Sequence, residues 1–516
     1  MLSVTRDSNA RALARNPLAA GLAAIVLAGV VPLGASAADT SWIRLRTDPA
    51  RRIFPQLMVA RTPPSIVAAP TLLVGNCEDD GPGSLRETIR NAVDGSMVDL
   101  RQLACSTITL TTGAIEIPVD SLTLTGKGRS LQVIDGNHAD RVFLHPRGGA
   151  LTFQSLSIRN GRNRETGFDV AGGGCVASAG YMTLDHAEVS GCYAGGEGAY
   201  GGGIYAYSLT MLDSTLSGNV AKGVHPAAGT AAFGGGAFVY SMALNASTVT
   251  GNRAVHDVNP GRSSYDIGGA LVTVVGGPII DSTIDSNYSQ ERGGGVAAFN
   301  PVSVANSTIS GNVAANGIGG GFLMRWPSTI ELNSATVAGN HANGGGGGVW
   351  IGIAGSLMNS SIVAGNTSSA DTFANLETNA PAIVFAGDHN LVGHSNPGIV
   401  LPDDTIKADP RLAPLASNGG PTRTRALLPG SAAIDAGTNP AGGPFDQRGS
   451  GYQRVQGAAA DIGAFELQPA ADAGDVRAVP AFSLLASALL AMLLGSLAMV
   501  RTRVSVPFAS HTRRQR

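Results

Sequence analysis

The chain reads as an all-β protein built on a parallel β-helix, and three observations point there. A glycine triplet followed by apolar residues recurs at Gly172–Gly174, Gly201–Gly203, Gly234–Gly236, Gly293–Gly295, Gly319–Gly321 and Gly346–Gly348, with a shortened copy at Gly268-Gly269-Ala270. A second motif, Ser-Thr-apolar-x-Gly-Asn, ends at Asn219, Asn252, Asn287, Asn312, Asn340 and Asn366, with Cys192 in the same place one repeat earlier. The two run in step: 16 to 19 residues separate each triplet from its Asn, whereas the return to the next triplet varies from 6 to 16. A constant core with variable insertions at one corner is the pattern of a stacked solenoid, and a period of 25 to 35 residues suits one coil of a parallel β-helix.

Each half-motif is a short β-run, such as Ser307-Thr-Ile-Ser and Val349-Trp-Ile, with charges confined to the connections. Glycine at fixed points supplies positive φ and close backbone approach at the bends. The recurrent Asn tolerates the left-handed conformation and can bond its counterpart in the next coil, so Asn219, Asn252, Asn287, Asn312, Asn340 and Asn366 are expected to form a ladder. Gly 70 of 516 could also signal low complexity, but disorder does not keep two motifs in register.

Taken in order, residues 1–37 read as a signal peptide: Arg6, Arg11 and Arg15, an uncharged run from Asn16 to Ala38, and a small-x-small exit at Ala35-Ser36-Ala37. Residues 38–70, rich in Arg, Pro and Ala, read as a linker. Residues 71–106 read as an N-terminal cap with a short helix over Ser84–Ala92, where Ser84 is the N-cap and Glu87 follows three residues on. The coils are expected over 107–380, and a module without triplets over 381–468, closing the solenoid at its C-terminal end. After a linker at 469–477, the uncharged stretch 478–500 is long enough to cross a membrane as a helix. The basic tail 501–516 carries Arg501, Arg503, Arg513, Arg514 and Arg516 and is expected to stay cytoplasmic while residues 39–475 are exported.

Four cysteines suit an exported protein. Pairing Cys77 with Cys105 and Cys175 with Cys192 is the local solution, with the other two connectivities left open by the sequence. No Cys-x-x-Cys or Cys/His cluster suggests a metal, and no cofactor is expected. A net charge of −2, 14% charged residues and 5% aromatics, without a basic stripe, argue against a nucleic-acid partner.

Four strings occur in order near the C-terminus: Asn418-Gly-Gly-Pro-Thr, Leu428-Pro-Gly-Ser-Ala-Ala-Ile-Asp-Ala-Gly437, Asp446-Gln-Arg-Gly449 and Asp461-Ile-Gly-Ala-Phe-Glu466. Over about 409–467 they resemble the choice-of-anchor Q family of bacterial surface proteins, and Gly83-Ser-Leu-Arg-Glu-Thr-Ile89 is similar to the opening of that group. The triplet-plus-Asn repeats resemble the right-handed β-helices of polymorphic outer-membrane proteins and pectate-lyase-like solenoids. Val479-Pro480-Ala-Phe, the apolar run and the terminal arginines resemble a Gram-negative C-terminal sorting signal, a plain membrane anchor being the alternative. These resemblances imply a right-handed β-helix on the envelope or surface of a Gram-negative bacterium, handled by envelope sorting machinery. They imply no particular activity.

An enzyme on this fold would need convergent carboxylates or a Lys/Arg base beside them. Asp213 and Asp281 align in sequence with Asn245, Asn306, Asn333 and Asn359, which reads as a turn-capping column rather than a catalytic set. Asp79 and Asp80 could ligate Ca²⁺, but a plain turn explains them. No catalytic residue is therefore assigned. The expected binding surface is the insertion corner, which carries Arg162, Arg164, Phe168, Tyr193, Tyr200, His225, Phe233, Arg253, His256, Arg262 and Tyr265. The resulting expectation is a non-enzymatic, adhesive or ligand-binding surface protein whose partners are surface glycans or host and envelope components. A polysaccharide lyase or glycoside hydrolase is the alternative, and a purely structural envelope protein the third reading.

Overall fold

The computed structural model describes residues 69–164, 171–196, 198–224, 231–257, 265–325, 327–369, 374–380 and 382–469. The expected signal peptide, nearly all of the 38–70 linker, the apolar stretch 478–500 and the basic tail lie outside the described residues. Among the described residues no helix is long and apolar enough to cross a membrane. The described residues up to Glu466 form one compact unit.

The coil from Gly201 shows the path. After the triplet, Ile204–Leu212 runs through the first sheet, burying Ile204, Ala206, Leu209 and Met211. The chain bends at Asp213, and Thr215–Ser217 enters the second sheet with Leu216 inward. It bends again at Gly218-Asn219, and Val220–Gly223 forms the third sheet. The return passes through Ala231–Phe233, part of a short fourth sheet, to Gly234. Each strand pairs in parallel with its counterpart one coil on, as in Ile204↔Ala237, Thr215↔Thr248 and Val220↔Arg253. Among the described residues the sheets have 19, 11, 8 and 4 strands. One strand of the second sheet per coil makes eleven coils, a rod about 50 Å long at roughly 4.8 Å per coil. The bore is filled by one continuous apolar cluster from Val74 to Ile399.

The repeated residues close each coil. The first glycine of the aligned triplet has positive φ, 64° at Gly201 and 68° at Gly234. A Cβ on the second, Gly235, would lie 2.4 Å from the Arg253 carbonyl carbon, because the third sheet passes against it. A Cβ on the third, Gly203, would lie 2.9 Å from Asn219 Cγ. The third glycine therefore makes room for the Asn side chain. From coil to coil the Asn Nδ2 donates to the next Asn Oδ1 at 2.9–3.0 Å, from Asn219 through Asn252, Asn287, Asn312, Asn340 and Asn366 to Asn375. The same Oδ1 accepts the preceding Asn backbone N–H. All seven are buried, so the ladder satisfies amides that water cannot reach. The Asn itself does not take the left-handed conformation. The residue before it does: Gly218, Gly251, Ser286, Gly311, Gly339 and Gly365, at φ between 56° and 73°.

One coil replaces this rung. Cys175 aligns with Gly203 and Cys192 with Asn219, and the two form a disulfide across the coil. Asn219 Oδ1 then caps the Cys192 backbone N–H at 3.0 Å. The second disulfide joins Cys77 to Cys105. A parallel serine ladder lies at the entrance to the second sheet, where Ser247, Ser282 and Ser307 each accept at Oγ the backbone N–H of the preceding coil's serine.

Two boundaries shift from the sequence reading. Parallel pairing begins at Thr71–Leu73, which pairs with Ser96–Asp99, so the expected cap at 71–106 already contributes strands. The helix Leu85–Arg90 interrupts this first coil; Ser84 Oγ accepts the Glu87 N–H, Glu87 Oε2 accepts the Gly83 N–H, and Leu85 and Ile89 enter the bore. At the other end strands continue past 380, through Ile383–Ala386 and Leu391–Val392 to Ile399–Val400. The shift at both ends has one cause: these coils lack glycine triplets but still alternate apolar and polar residues.

The segment after about 409 does not extend the stack. It folds back along the outside of the second sheet as a strap. Thr422 Oγ1 donates to Asp281 O, Arg423 Nη2 to Asp285 Oδ2 at 2.5 Å, Arg425 Nε to Ser310 Oγ, Ala464 N to Thr336 Oγ1 and Thr438 N to Ser360 Oγ. Gln447 is its plug: Nε2 donates to Ser282 O and Thr283 Oγ1 while Oε1 accepts from Thr308 Oγ1. Within the strap Arg448 is buried, paired with Asp446 at 2.6 Å and flanked by the rings of Tyr452 and Phe465.

Candidate functional site on the outer face of the third sheet

The residue that follows each ladder position leaves the coil pointing outward. Register places these residues in one column along the axis: Arg162↔Tyr193↔Val220↔Arg253↔Tyr288↔Val313↔His341↔Thr367. Parallel in-register stacking dictates this, because the ladder Asn fixes which residue comes next. The Arg162 guanidinium lies 4.9 Å from the Tyr193 ring centroid, and three coils later Arg253 lies 4.5 Å from that of Tyr288. Among the described residues neither guanidinium has a carboxylate partner, and Arg162 Nε is buried without an acceptor. A stacked guanidinium keeps its charge and its fork of donors, and stacking removes much of its rotamer freedom. Lys222, on the neighbouring outward column, is already paired with Asp257 at 2.7 Å. His341 is held between Thr367 Oγ1 and Asn343 Oδ1, both at 2.9 Å.

The insertion corner divides into different environments. Arg162, Tyr193 and Arg253 stand on the face just described, with exposed Arg164 following the strand Arg162–Asn163. Tyr200 and Phe233 turn inward and stack at 5.1 Å over Tyr205 and Phe238 of the first sheet, in an apolar cluster outside the bore. Behind them Ala199, Ala221, Ala232 and Ala254 form a buried layer between the third and fourth sheets. His256 sits at the end of that layer, its Nδ1 2.5 Å from Asp266 Oδ2 with both side chains buried. Burial pushes the Asp266 carboxyl up to about 6, opposed by His256 and the Ala232 N–H. Phe168, His225 and Arg262 lie outside the described residues, as does the side chain of Tyr265, whose backbone is in Tyr265–Ile267.

Asp213 does not align with Asn245: Asn245 stacks on Leu212 and Ile280, while Asp213 shares the left-handed bend with Ala246, Asp281 and Asn306. One expected column is thus two adjacent ones, because the bend residue follows the strand end by one position. Asp281 accepts from Asn306, and Asp285 from Arg423. Asp79 accepts from Arg86 and from the backbone and hydroxyl groups of Thr111 and Thr112. Burial would raise its pKa, but those donors hold it well below the usual carboxylate range. His186 bridges Asp185 at 2.6 Å and Asp213 at 3.4 Å, with Arg129 donating to the Asp213 carbonyl at 2.6 Å. Among the described residues no three His, Cys, Asp or Glu side chains are grouped to hold a metal ion.

Lys222, Tyr288 and His341 join this face without belonging to the insertion-corner set that the sequence points to. Their signal is nonetheless in the sequence: Tyr288 and His341 directly follow a ladder Asn, and Lys222 lies three residues beyond Asn219.

No family model matches the chain, and no curated protein matches it. Among solved structures it is similar to the pectate lyase Pel9A at 13% sequence identity and a TM-score of 0.39, covering 77% of this chain and 96% of that one. Nothing about this chain's chemistry follows from a likeness at that level.

Proposed function

We propose that this protein is an exported, non-enzymatic β-helix that binds a ligand on the outer face of its third sheet. The observation that carries the reading is the repeated pair of tyrosine-stacked arginines, Arg162 on Tyr193 and Arg253 on Tyr288, without a carboxylate partner among the described residues. Such pre-organised cations can each take an outside carboxylate, phosphate or sulfate through a charge-assisted, bidentate hydrogen bond. The two disulfides support an oxidising compartment, and the four C-terminal strings support a surface protein of the choice-of-anchor Q kind. Residence in the envelope, through the apolar segment 478–500, belongs to the same proposal. The test is binding of the purified exported part, residues 39–475, to envelope fractions and extracted surface glycans. Replacing Arg162 and Arg253 by Ala should abolish binding without changing β-content. Unchanged binding would remove the third sheet from consideration.

A carbohydrate-active enzyme is the second reading, favoured by His186 between Asp185 and Asp213 beside Arg129. Release of reducing ends or unsaturated uronates from a polysaccharide panel, lost in His186→Ala, would establish it.

A further inference from the structure

We infer that the ligand of the third sheet is an acidic glycan lying parallel to the solenoid axis, its carboxylate or sulfate groups taken by Arg162 and Arg253. This rests on the binding face proposed above and adds the ligand's chemistry and direction.

The charge argument is local. The chain as a whole is slightly acidic, with net charge −2, yet this column holds two guanidinium groups without a counter-ion among the described residues, and no carboxylate. The adjacent cation, Lys222, is already neutralised by Asp257. A planar fork of donors held over an aromatic ring suits a planar carboxylate or one edge of a sulfate, approached from solvent.

The spacing argument gives the direction. The motif repeats after three coils, so the two guanidinium groups stand on the order of 14 Å apart along the axis. One pyranose of an extended chain is comparable in length to the rise of one coil, which is roughly 4.8 Å. A linear glycan can therefore keep pace with the coils and present an acid group at every third one. Between the cations the column carries Tyr193 and Val220, and beyond them Tyr288, Val313 and His341. Apolar sugar faces and hydroxyls can rest on such a strip. A polypeptide polyanion has no flat apolar face to set there. Single-stranded nucleic acid would need ring faces open for base stacking, and one face of each of these rings is covered by arginine.

The test uses residues 39–475 with oligomers of alginate and of chondroitin sulfate as acidic probes. Cello-oligosaccharides serve as the neutral probe, and polyglutamate and oligo-dT as non-glycan polyanions. At least one acidic series should bind, tightening until the oligomer spans both arginines at roughly four sugars, and weakening from about 0.05 to about 0.5 M salt. The double variant Arg162→Gln, Arg253→Gln should bind roughly ten- to a hundred-fold more weakly. Arg90→Gln, which removes an exposed cation on the helix Leu85–Arg90 away from this face, should bind like wild type. Arg162→Lys with Arg253→Lys should recover only part of the affinity. Circular dichroism and Tm of each variant separate lost binding from lost fold, and the exposed position of Arg253 makes Arg253→Gln alone a second route. Equal binding of cello-oligosaccharides, or equal or tighter binding of polyglutamate or oligo-dT, overturns the inference. So does failure of both acidic series while envelope fractions are still bound in an Arg162- and Arg253-dependent way; the binding face then stands with another ligand. Failure of envelope fractions and probes alike removes the face itself.

Discussion

The Asn residues behave as a single buried network. Asn287 donates to Asn312 Oδ1 and Val249 O, and its Oδ1 accepts from both the side chain and backbone of Asn252. Asn287→Ala leaves those partners buried without a mate, so a loss of about 2–4 kcal/mol in denaturant unfolding is expected; a loss under half of that would mean water reaches the bend. The cysteine coil offers a sharper test. Cys175 and Cys192 occupy a glycine and an asparagine position, so Cys175→Gly with Cys192→Asn should rebuild the ordinary rung. Under reducing conditions this pair should exceed Cys175→Ser with Cys192→Ser by about 1–3 kcal/mol. A pair no better than the serines would show that ladder position alone does not define the rung. At Asp266 the issue is protonation. Its folded pKa of about 6 lies above the ordinary 3.8, so the fold binds this proton more tightly than the unfolded chain does. That contribution is complete below 3.8 and is lost as pH rises through 6, by at most about 3 kcal/mol. Asp266→Asn can still accept from Ala232 N and keep its place beside His256 without titrating, so its unfolding midpoint should vary less between about pH 4 and pH 7 than that of wild type. Parallel curves for the two would place the titration elsewhere.

At the scale of elements, the strap makes its most demanding contact through Arg423. Asp285 is fully buried and Arg423 is its only charged partner among the described residues. Arg423→Ala should therefore cost more than Arg425→Ala, which loses a neutral hydroxyl contact: about 3 kcal/mol against about 1. The readout is proteolytic release of a fragment beginning after about residue 409, which should accelerate far more in Arg423→Ala. Similar rates for both would mean that Gln447 alone seats the strap. These elements are unequally legible in the sequence for a physical reason. Triplet, Ser-Thr run and Asn repeat in every regular coil, so local rules identify them one coil at a time. The strap carries no period, and Thr283 or Thr308 looks like any outward strand residue until Gln447 is laid across it. The end coils escape a sequence reading for the opposite reason: they keep the alternation of a strand but drop the glycine that announces a coil.

For the whole molecule, two kinds of order are superposed. The coils alone form a chain of nearest neighbours, in which stability is close to a sum over interfaces. The binding column is a product of that order, which is why the position after each Asn locates it, whereas the insertion loops that stand out in the sequence bury Tyr200, Phe233 and His256. The strap adds long-range order, because it touches Thr250, Asp285, Ser310, Thr336 and Ser360 in fixed sequence and so counts the coils beneath it. Removing a whole coil separates the two. Deleting Gly201 to Phe233 joins Tyr200 to Gly234, takes out one coil before the strap's footprint and leaves Asn252 to cap Cys192. That protein should fold with its strap protected from protease and its Tm shifted little. Deleting Gly293 to Ile318 joins Arg292 to Gly319 and removes a coil of ordinary sequence inside the footprint. Every strap contact beyond Asp285 then meets the wrong coil, with Gln447 facing Thr336 in place of Thr308. The coils should still form, with parallel β-content scaled to their number, but the strap should become cleavable and the unfolding transition should broaden as the cooperativity it imposes is lost. If both deletions leave the strap equally protected, it tolerates any register and is a passive cover; if both prevent folding, the coils depend on one another beyond their nearest neighbours.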